Sequence, residues 1–307
     1  MINKPTIALC IPAFNAAAYL EDLLQSAHAQ ESAFAEILVY NDCSTDNTVI
    51  IAEKNGATIF SGEKNMGCSY GKNFLAKNAK SEWLHFHDAD DLLLPNFTKV
   101  AASRISAVNA PDILLMHYHY LDFETKKFLN EPSYNREALT ANPTKFSIEN
   151  KIVNFAVIRK SAFLRIEGFD TDPRVLYNED RAFYTKAAIE GLSFDYEREV
   201  TSINYLYHSS MSAQNIEKCA AAAYEVWFKV IAKTGESYNK EIAAQLLENA
   251  NYAATANAWG VVRDSVKKSV EIYPAIKPAG SNLFKILFKL MPVHSYRIRK
   301  YLLGLRK

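Results

Sequence analysis

The run "EWLHFHDADDLLLP", residues 82–95, decides how this sequence folds. It opens as an apolar strand signal around Trp83, Leu84 and Phe86, then stops at three carboxylates, Asp88, Asp90 and Asp91, within four positions. Desolvation and mutual repulsion oppose such a cluster at the end of a buried strand unless something positive sits beside it. Hard divalent cations such as Mg²⁺ or Mn²⁺ take oxygen ligands, usually one or two carboxylates plus substrate phosphates. Asp88 and Asp90 suit that role, and Asp91 is placed to cap the following segment. The plainer alternative is a strand-end turn in which Asp91 is a helix cap.

Outward from this run, strand and helix alternate. "TIALCIPAF" reads as a strand, and "AAAYLEDLLQSAHAQ" has helical spacing through Tyr19, Leu20, Leu23, Leu24 and Ala27. "AEILVYND" and "ATIFSG" are further strands, with helices over Thr48–Asn55 and "GKNFLAKNAK". Strands apolar on both faces, separated by helices, predict an α/β sheet with parallel strands. Ligands on such sheets sit at the carboxyl ends of strands, where "PAFN", "NDCSTD" and "HDADD" fall. Further on, "DILLMHYHYLDF" predicts a strand and "NEPSYNREALTANPTKF" a loose stretch. "NEDRAFYTKAAIEGLSFDYE" predicts a helix and then a strand, and the chain is helix-rich from about Ile216.

The 307 residues are 49% hydrophobic and 22% charged, enough for one full-sized core plus an appendage. Cys10, Cys43, Cys68 and Cys219 form no C-x-x-C pair, which argues against a metal cage or disulfide framework and for reduced thiols in a cytosol. The N-terminal apolar run is too short to span a membrane and contains a proline; no signal peptide or spanning segment is expected.

Several signals carry less than they suggest. "GCSYGK" has three rather than four residues between its glycines and no Ser or Thr after the lysine, so it fails as a P-loop. No G-x-G-x-x-G follows the first strand, which argues against a dinucleotide dehydrogenase. His85 with His87, and His117 with His119, alternate at strand spacing and could ligate metal, though packing or supporting roles are the simpler reading. Tyr118, Tyr120 and Phe123 read as core rather than a sugar-stacking platform.

Four strings in order, "CIPAFNAAAYLEDLLQSAHAQ", "EILVYNDCSTDNT", "KNMGCSYGKNFLAKNAKSEWLHFHDADDLLLP" and "EGFD" with "NEDRAFYTKAAIEG", resemble the family 2 glycosyltransferases, inverting enzymes with the GT-A fold. The resemblance covers roughly residues 5–212. It implies a GT-A-type nucleotide-binding mixed sheet flanked by helices, a nucleotide-sugar donor, Mn²⁺ or Mg²⁺, and a glycan or lipid-linked acceptor. Residue by residue, it sets Pro12, Phe14 and Asn15 beside the nucleotide and gives Asp42 a hydrogen bond from the base. Asn65, Gly67 and Lys72 fall near ribose and diphosphate. Asp88 and Asp90 form the D-x-D motif, with Asp90 on the metal and Asp88 toward ribose and sugar. Asp180 matches the catalytic base, with Glu179 beside it contacting acceptor or base. His208 roughly matches a late histidine that approaches metal or diphosphate; a surface-loop role is the alternative.

Two departures stand out. Most members read Asp-Asp-Gly-Ser where this chain has "NDCS", so Asn41 replaces an acid and Cys43 a glycine. Lys72 stands where arginine is common, keeping the charge but losing the bidentate geometry.

From Ile272 to Lys307 there are eight Lys or Arg and no Asp or Glu, so the tail carries +8 against a whole-chain net charge of +1. In "SNLFKILFKLMPVHSYRIRKYLLGLRK", Leu283, Ile286, Leu287 and Leu290 share one helical face, and Pro292 is expected to break the helix. Such a segment can lie on an anionic membrane surface; the alternative is a helix packed on the protein with a solvated basic face. No nucleic-acid recognition motif accompanies it.

The expected organisation is a catalytic domain over 1–212, a helical C-terminal extension over 213–275 and a basic amphipathic tail over 276–307. The expected location is cytoplasmic, with peripheral attachment at the inner face of the membrane through that tail. The expected activity is metal-dependent transfer of a hexose or N-acetylhexosamine, most simply from a UDP-sugar, in cell-surface polysaccharide or lipopolysaccharide-type synthesis. Two alternatives stand beside it: a catalytically decayed sugar-nucleotide-binding scaffold, and a nucleotidyltransferase, which lacks its glycine- and lysine-rich loop here.

Overall fold

Strand β1, Ile7–Ala13, is buried along nearly its whole length and pairs in parallel with β2, Glu36–Asn41, on one side and β4, Trp83–Phe86, on the other. The computed structural model describes residues 4–207 and 214–304. β3, Thr58–Ser61, extends the parallel half beyond β2. Beyond β4 the sheet becomes mixed. β8, Ala156–Arg159, runs antiparallel to β4, and β6, Ile113–Asp122, runs antiparallel to β8. β9, Phe194–Leu206, is parallel to β6 and pairs with the short β5, Leu92–Leu93. β7, Phe128–Asn130, adds to β6. The described strands form one sheet in the order β3-β2-β1-β4-β8-β6-β9-β5. β4 and β6 therefore point the same way, and the loops that follow β1, β2 and β4 emerge at one edge.

The helices cover this sheet because their apolar positions recur at helical spacing. In α1, Leu20–His28, Leu20, Leu23, Leu24 and Ala27 are all buried. They pack with Leu9, Ile11, Val39, Trp83, Leu114 and Met116 from the sheet and with Phe97 and Ala101 of α4, Phe97–Ile105. Each such aliphatic side chain contributes about 1.5–3 kcal/mol on burial. α2, Thr48–Lys54, and α3, Cys68–Asn78, follow β2 and β3 as their spacing predicts.

The loose stretch expected around residues 130–146 is instead partly helical. Asn135 accepts a hydrogen bond from Ala138 N and starts α5, Arg136–Ala141, whose Leu139 is buried; Pro143 then opens α6, Pro143–Glu149. An Asx cap and a first-turn proline are both helix-start signals, masked here by the turn-forming residues around them. α7, Lys160–Arg165, and α8, Glu179–Ile189, complete this part of the chain.

The chain divides into two compact units. The first comprises Met1–Pro143, Ile152–Thr171 and Lys186–His208, and holds the whole sheet. The second comprises Thr144–Lys151, Asp172–Thr185 and Ser209–Lys307. Its helices are α9, Ile216–Thr234; α10, Asn239–Thr255; α11, Trp259–Ile272; α12, Asn282–Leu290; and α13, Pro292–Gly304. Small residues such as Ala220, Ala250, Ala253 and Ala254 let them pack closely around Val262, Val266, Phe284, Phe288 and Tyr296.

The break expected at Pro292 falls between α12 and α13. The face expected to pack or insert is mostly exposed, and a different face of α12 meets the rest of the unit. α12 buries Phe284 and Phe288, while Leu283, Ile286 and Leu290 are 55%, 57% and 72% exposed. Aromatic rings filled the internal face because they offer the larger apolar area. No described helix is long and apolar enough to cross a membrane.

Candidate active site

Three loops at the carboxyl edge of the parallel strands are tied to one another by short polar side chains. Asn15, at the end of "PAFN", has φ of +50°, and its Oδ1 accepts Thr45 N at 2.9 Å. Its own amide donates to Ser44 Oγ, Ala16 N to Thr48 Oγ1 and Ala17 N to Asp46 Oδ2. The loops after β1 and β2 thus hold each other. The sequence reading did not assign Ser44, Asp46 and Thr48, although a Ser, Asp and Thr cluster after a strand signals this kind of turn.

Asn41 Oδ1 accepts Ser44 N at 3.0 Å, so the residue that replaces an acid serves as a turn former. Cys43, where most members of the resembled family carry glycine, has φ of +66°. A left-handed backbone costs a side-chain-bearing residue roughly 1–2 kcal/mol, which explains the usual glycine.

Asp42 is buried, and both its oxygens are engaged: Oδ1 accepts Met66 N at 2.7 Å and Oδ2 accepts Gly67 N at 2.8 Å. It anchors the segment that carries Asn65 and Gly67. Gly67 precedes α3 with φ of +84°, a region open to glycine. One turn on, a Cβ at Gly71 would come within 2.8 Å of the Tyr40 ring and 3.4 Å of Pro12 Cβ, so α3 lies flush against β2 and β1. Phe14 is 53% exposed beside these loops, and Asn65 is also exposed.

This seating of α3 brings Lys72 to the acidic run. Lys72 is 1% exposed, and its Nζ lies 3.6 Å from Asp88 Oδ1 and 4.9 Å from the Phe169 ring centroid. The three carboxylates have separate fates. Asp91 is buried and accepts Asn204 Nδ2 and Tyr205 N, each at 2.9 Å, so it anchors β9 instead of capping the segment after it. Asp88 is half-exposed and paired with Lys72. Burial, with the Asp88 charge adding to it, pushes the Asp90 carboxyl up to about 6. Burial and the two neighbouring carboxylates push Asp91 up as well. Tyr207 Oη donates to the Asp90 carbonyl at 2.9 Å and fixes the turn.

A divalent cation fits Asp90 and Asp88. The donors are hard oxygens, and negative charge is concentrated there beyond what Lys72 balances. His208, the third expected ligand, lies outside the described residues.

The first histidine pair belongs to the core. His85 and His87 are fully buried, and the His85 ring packs at a tilt against Phe97, centroids 4.2 Å apart. His85 Nδ1 donates to Ala156 O at 2.9 Å, since a carbonyl only accepts; its Nε2 therefore accepts from His87 Nδ1 at 2.9 Å. Burial holds the His85 ring down at about 4, so it is neutral. Tyr118, stacked on Phe155 at 4.4 Å, is core as expected.

Glu179 and Asp180 lie in the second unit, in the first turn of α8, where carboxylates complement the helix dipole. Their approach is sharply bent. Tyr177 has φ of +76°, and Asn178 donates through Nδ2 to Cys219 O at 2.8 Å while its carbonyl accepts Ala182 N. Upstream, Asp172 accepts Arg174 N at 3.0 Å and Lys229 Nζ at 2.8 Å. A cavity of about 260 Å³ adjoins Asn178 and Arg181, lined also by Lys151, Trp227, Gln245 and Glu248. Arg181 donates to Gln245 Oε1 at 3.1 Å and lies over the Trp227 ring. The sequence reading did not single out Arg181, since its partners come from distant helices.

Comparison with known proteins agrees with this architecture. A family model described as glycosyl transferase family 2 matches residues 8–166, just over half of the chain, and the protein belongs to that family. It is a glycosyltransferase with a GT-A-type sheet. An uncharacterised glycosyltransferase of Haemophilus influenzae is 23% identical over 304 residues, covering 96% of this chain and 99% of that one. Residues 1–349 of Staphylococcus aureus TarS, solved with UDP-GlcNAc, superpose with a TM-score of 0.73 at 17% identity, covering 97% of this chain and 92% of that one. A mannosyltransferase of Pyrobaculum calidifontis, solved with GDP-Man and Mn²⁺, gives 0.59 at 16% identity, covering 98% and 81%. At these identities the structural likeness establishes the fold.

Proposed function

We propose that this glycosyltransferase moves a hexose or N-acetylhexosamine, with inversion and with a divalent cation, from a UDP-sugar to a hydroxyl of a glycan or glycolipid in cell-surface polysaccharide or lipopolysaccharide-type synthesis. The observation that carries the reading is the convergence, at one sheet edge, of anchored Asp42, buried Lys72 with its partner Asp88, and Asp90.

Asp42 has both oxygens held by backbone amides, yet each keeps a second lone pair for a base N–H. Phe14 offers an exposed apolar plane for that base. Lys72 supplies positive charge for the diphosphate and orients Asp88 toward ribose and sugar. Asp90 and Asp88 would hold the cation, which would supply neutralising charge for the departing diphosphate. In the transfer itself an acceptor oxygen bonds to the anomeric carbon as the bond to the diphosphate oxygen breaks. The acceptor proton passes to the Asp180 carboxylate, which acts as general base, with Glu179 orienting the acceptor.

The same reading sets the enzyme against anionic lipid through α12. Leu283, Ile286 and Leu290 are exposed beside Lys285 and Lys289, the combination an interfacial helix uses. Arg299 and Lys300 are otherwise engaged, with Asn251 and with carbonyls at the end of α10.

The test is release of nucleoside diphosphate from UDP-, GDP- and dTDP-sugars with and without Mn²⁺. UDP-sugar hydrolysis that needs the cation is expected. Turnover unaffected by chelation overturns the cation role. Absence of both turnover and thermal stabilisation with every donor overturns the donor class.

A further inference from the structure

The second histidine pair differs from the first. His117 and His119, two apart on β6, turn their Nε2 atoms toward one carboxylate oxygen, Glu131 Oε2, immediately after β7. His119 Nε2 lies 3.0 Å from it and His117 Nε2 3.5 Å. All three ligand atoms lie within 4.8 Å of one another, the only such group of His, Cys, Asp or Glu among the described residues.

We propose that His117, His119 and Glu131 form a metal site separate from the aspartate cluster, taking a zinc-class transition-metal ion. A tetrahedral ion with bonds of about 2.0–2.2 Å holds its ligand atoms roughly 3.3–3.6 Å apart, and the two observed separations lie within a few tenths of an ångström of that edge. Two imidazoles and one carboxylate are three protein ligands, which leaves a fourth position for water. His119 is 34% exposed and Glu131 50% exposed, so water and metal can reach the site.

The orientation of the inner ring is already fixed. Tyr196 Oη lies 2.5 Å from His117 Nδ1; with metal on Nε2, Nδ1 carries the hydrogen and donates to that hydroxyl oxygen. Such outer partners set the tautomer of metal-bound histidines. Phe128 meets His119 edge-on at 5.0 Å and flanks the second ring. Nitrogen-rich donors favour zinc, copper or nickel, whereas the all-oxygen set at Asp88 and Asp90 favours magnesium or manganese, so the two sites differ in chemistry. Metal here would also pin the turn between β6 and β7, because Glu131 lies beyond β7 and both histidines lie on β6.

The experiment uses full-length protein stripped with chelator, then dialysed against Zn²⁺ alone, with Co²⁺ as spectroscopic probe. Expected are one tight Zn²⁺ that survives Asp90→Asn, and the intense visible bands of four-coordinate Co²⁺. His119→Ala and Glu131→Gln should each weaken Zn²⁺ binding by at least about tenfold, and Tyr196→Phe by a similar factor through the His117 ring. His119 and Glu131 are partly exposed, so folding of both variants, checked by circular dichroism, is expected to persist. Stoichiometric Zn²⁺ binding unchanged in His119→Ala and Glu131→Gln overturns the proposal, as does a wild-type protein that binds none. Loss of donor turnover with Zn²⁺ binding intact would count against the sugar-transfer reading alone.

Discussion

Lys72 Nζ stands 3.6 Å from Asp88 Oδ1, with the lysine 1% exposed and the aspartate 44% exposed. A charge buried this completely is costly, and a pair with one wet partner recovers only part of that cost. Such a pair is weak evidence for stability, and the proposed function gives it a ligand to hold. Lys72→Met should leave the urea midpoint unchanged or raise it, while UDP-sugar affinity measured by calorimetry falls about 10–100-fold, the value of one or two charge-assisted hydrogen bonds. A destabilised variant with normal affinity contradicts this.

Asp90 and Asp91 are adjacent but should respond oppositely. Asp90 is disfavoured by burial and by Asp88, so Asp90→Asn should leave metal-free stability intact and reduce cation-dependent turnover about 100-fold or more. Asp91→Ala strips partners from Asn204 and from the Tyr205 amide, and should cost about 1–3 kcal/mol in chemical denaturation.

Asp180→Asn removes the proposed proton acceptor while keeping its shape. Turnover should drop by about 10²–10⁴, with the donor dissociation constant within about twofold of wild type. Near-normal turnover would assign the base elsewhere.

Asp172 gives a prediction in pH. Hydrogen bonds from Arg174 and Lys229 hold its carboxyl well below the usual range. A depressed native value means stability present above the unfolded value, about 3.9, and lost as pH falls through the native one. Asp172→Asn should thus be less stable than wild type at pH 6, by about 1 kcal/mol for a largely solvated network, and the gap should close in strong acid. A gap independent of pH counts against the ion pairs.

The triple change of Leu283, Ile286 and Leu290 to Ser leaves the Phe284 and Phe288 core face of α12 untouched. Flotation with anionic vesicles should fall several-fold, with hydrolysis of soluble donor unchanged. Equal flotation rules out this face as the contact.

Much of this was legible in one dimension. Alternating periods of two and 3.6 set the order of strands and helices, and the clusters "PAFN", "NDCSTD" and "HDADD" marked strand ends. These are local properties: Leu20, Leu23, Leu24 and Ala27 share a face because of helix geometry alone. The helix starts at Asn135 and Pro143 were local too, and were obscured by turn-forming neighbours.

Which carboxylate does what was decided only in three dimensions. Asp91 became an anchor because Asn204 and Tyr205, more than a hundred residues away, reach it from β9. Two identically spaced histidine pairs took different fates because Ala156 and Phe97 meet one while Glu131 meets the other. α12 buried its phenylalanines and left Leu283 and Leu290 outside because α10, α11 and α13 offered a site for rings. Periodicity tells which residues of a segment lie together; only the packing of distant segments tells what they face, and desolvation and charge pairing follow from that.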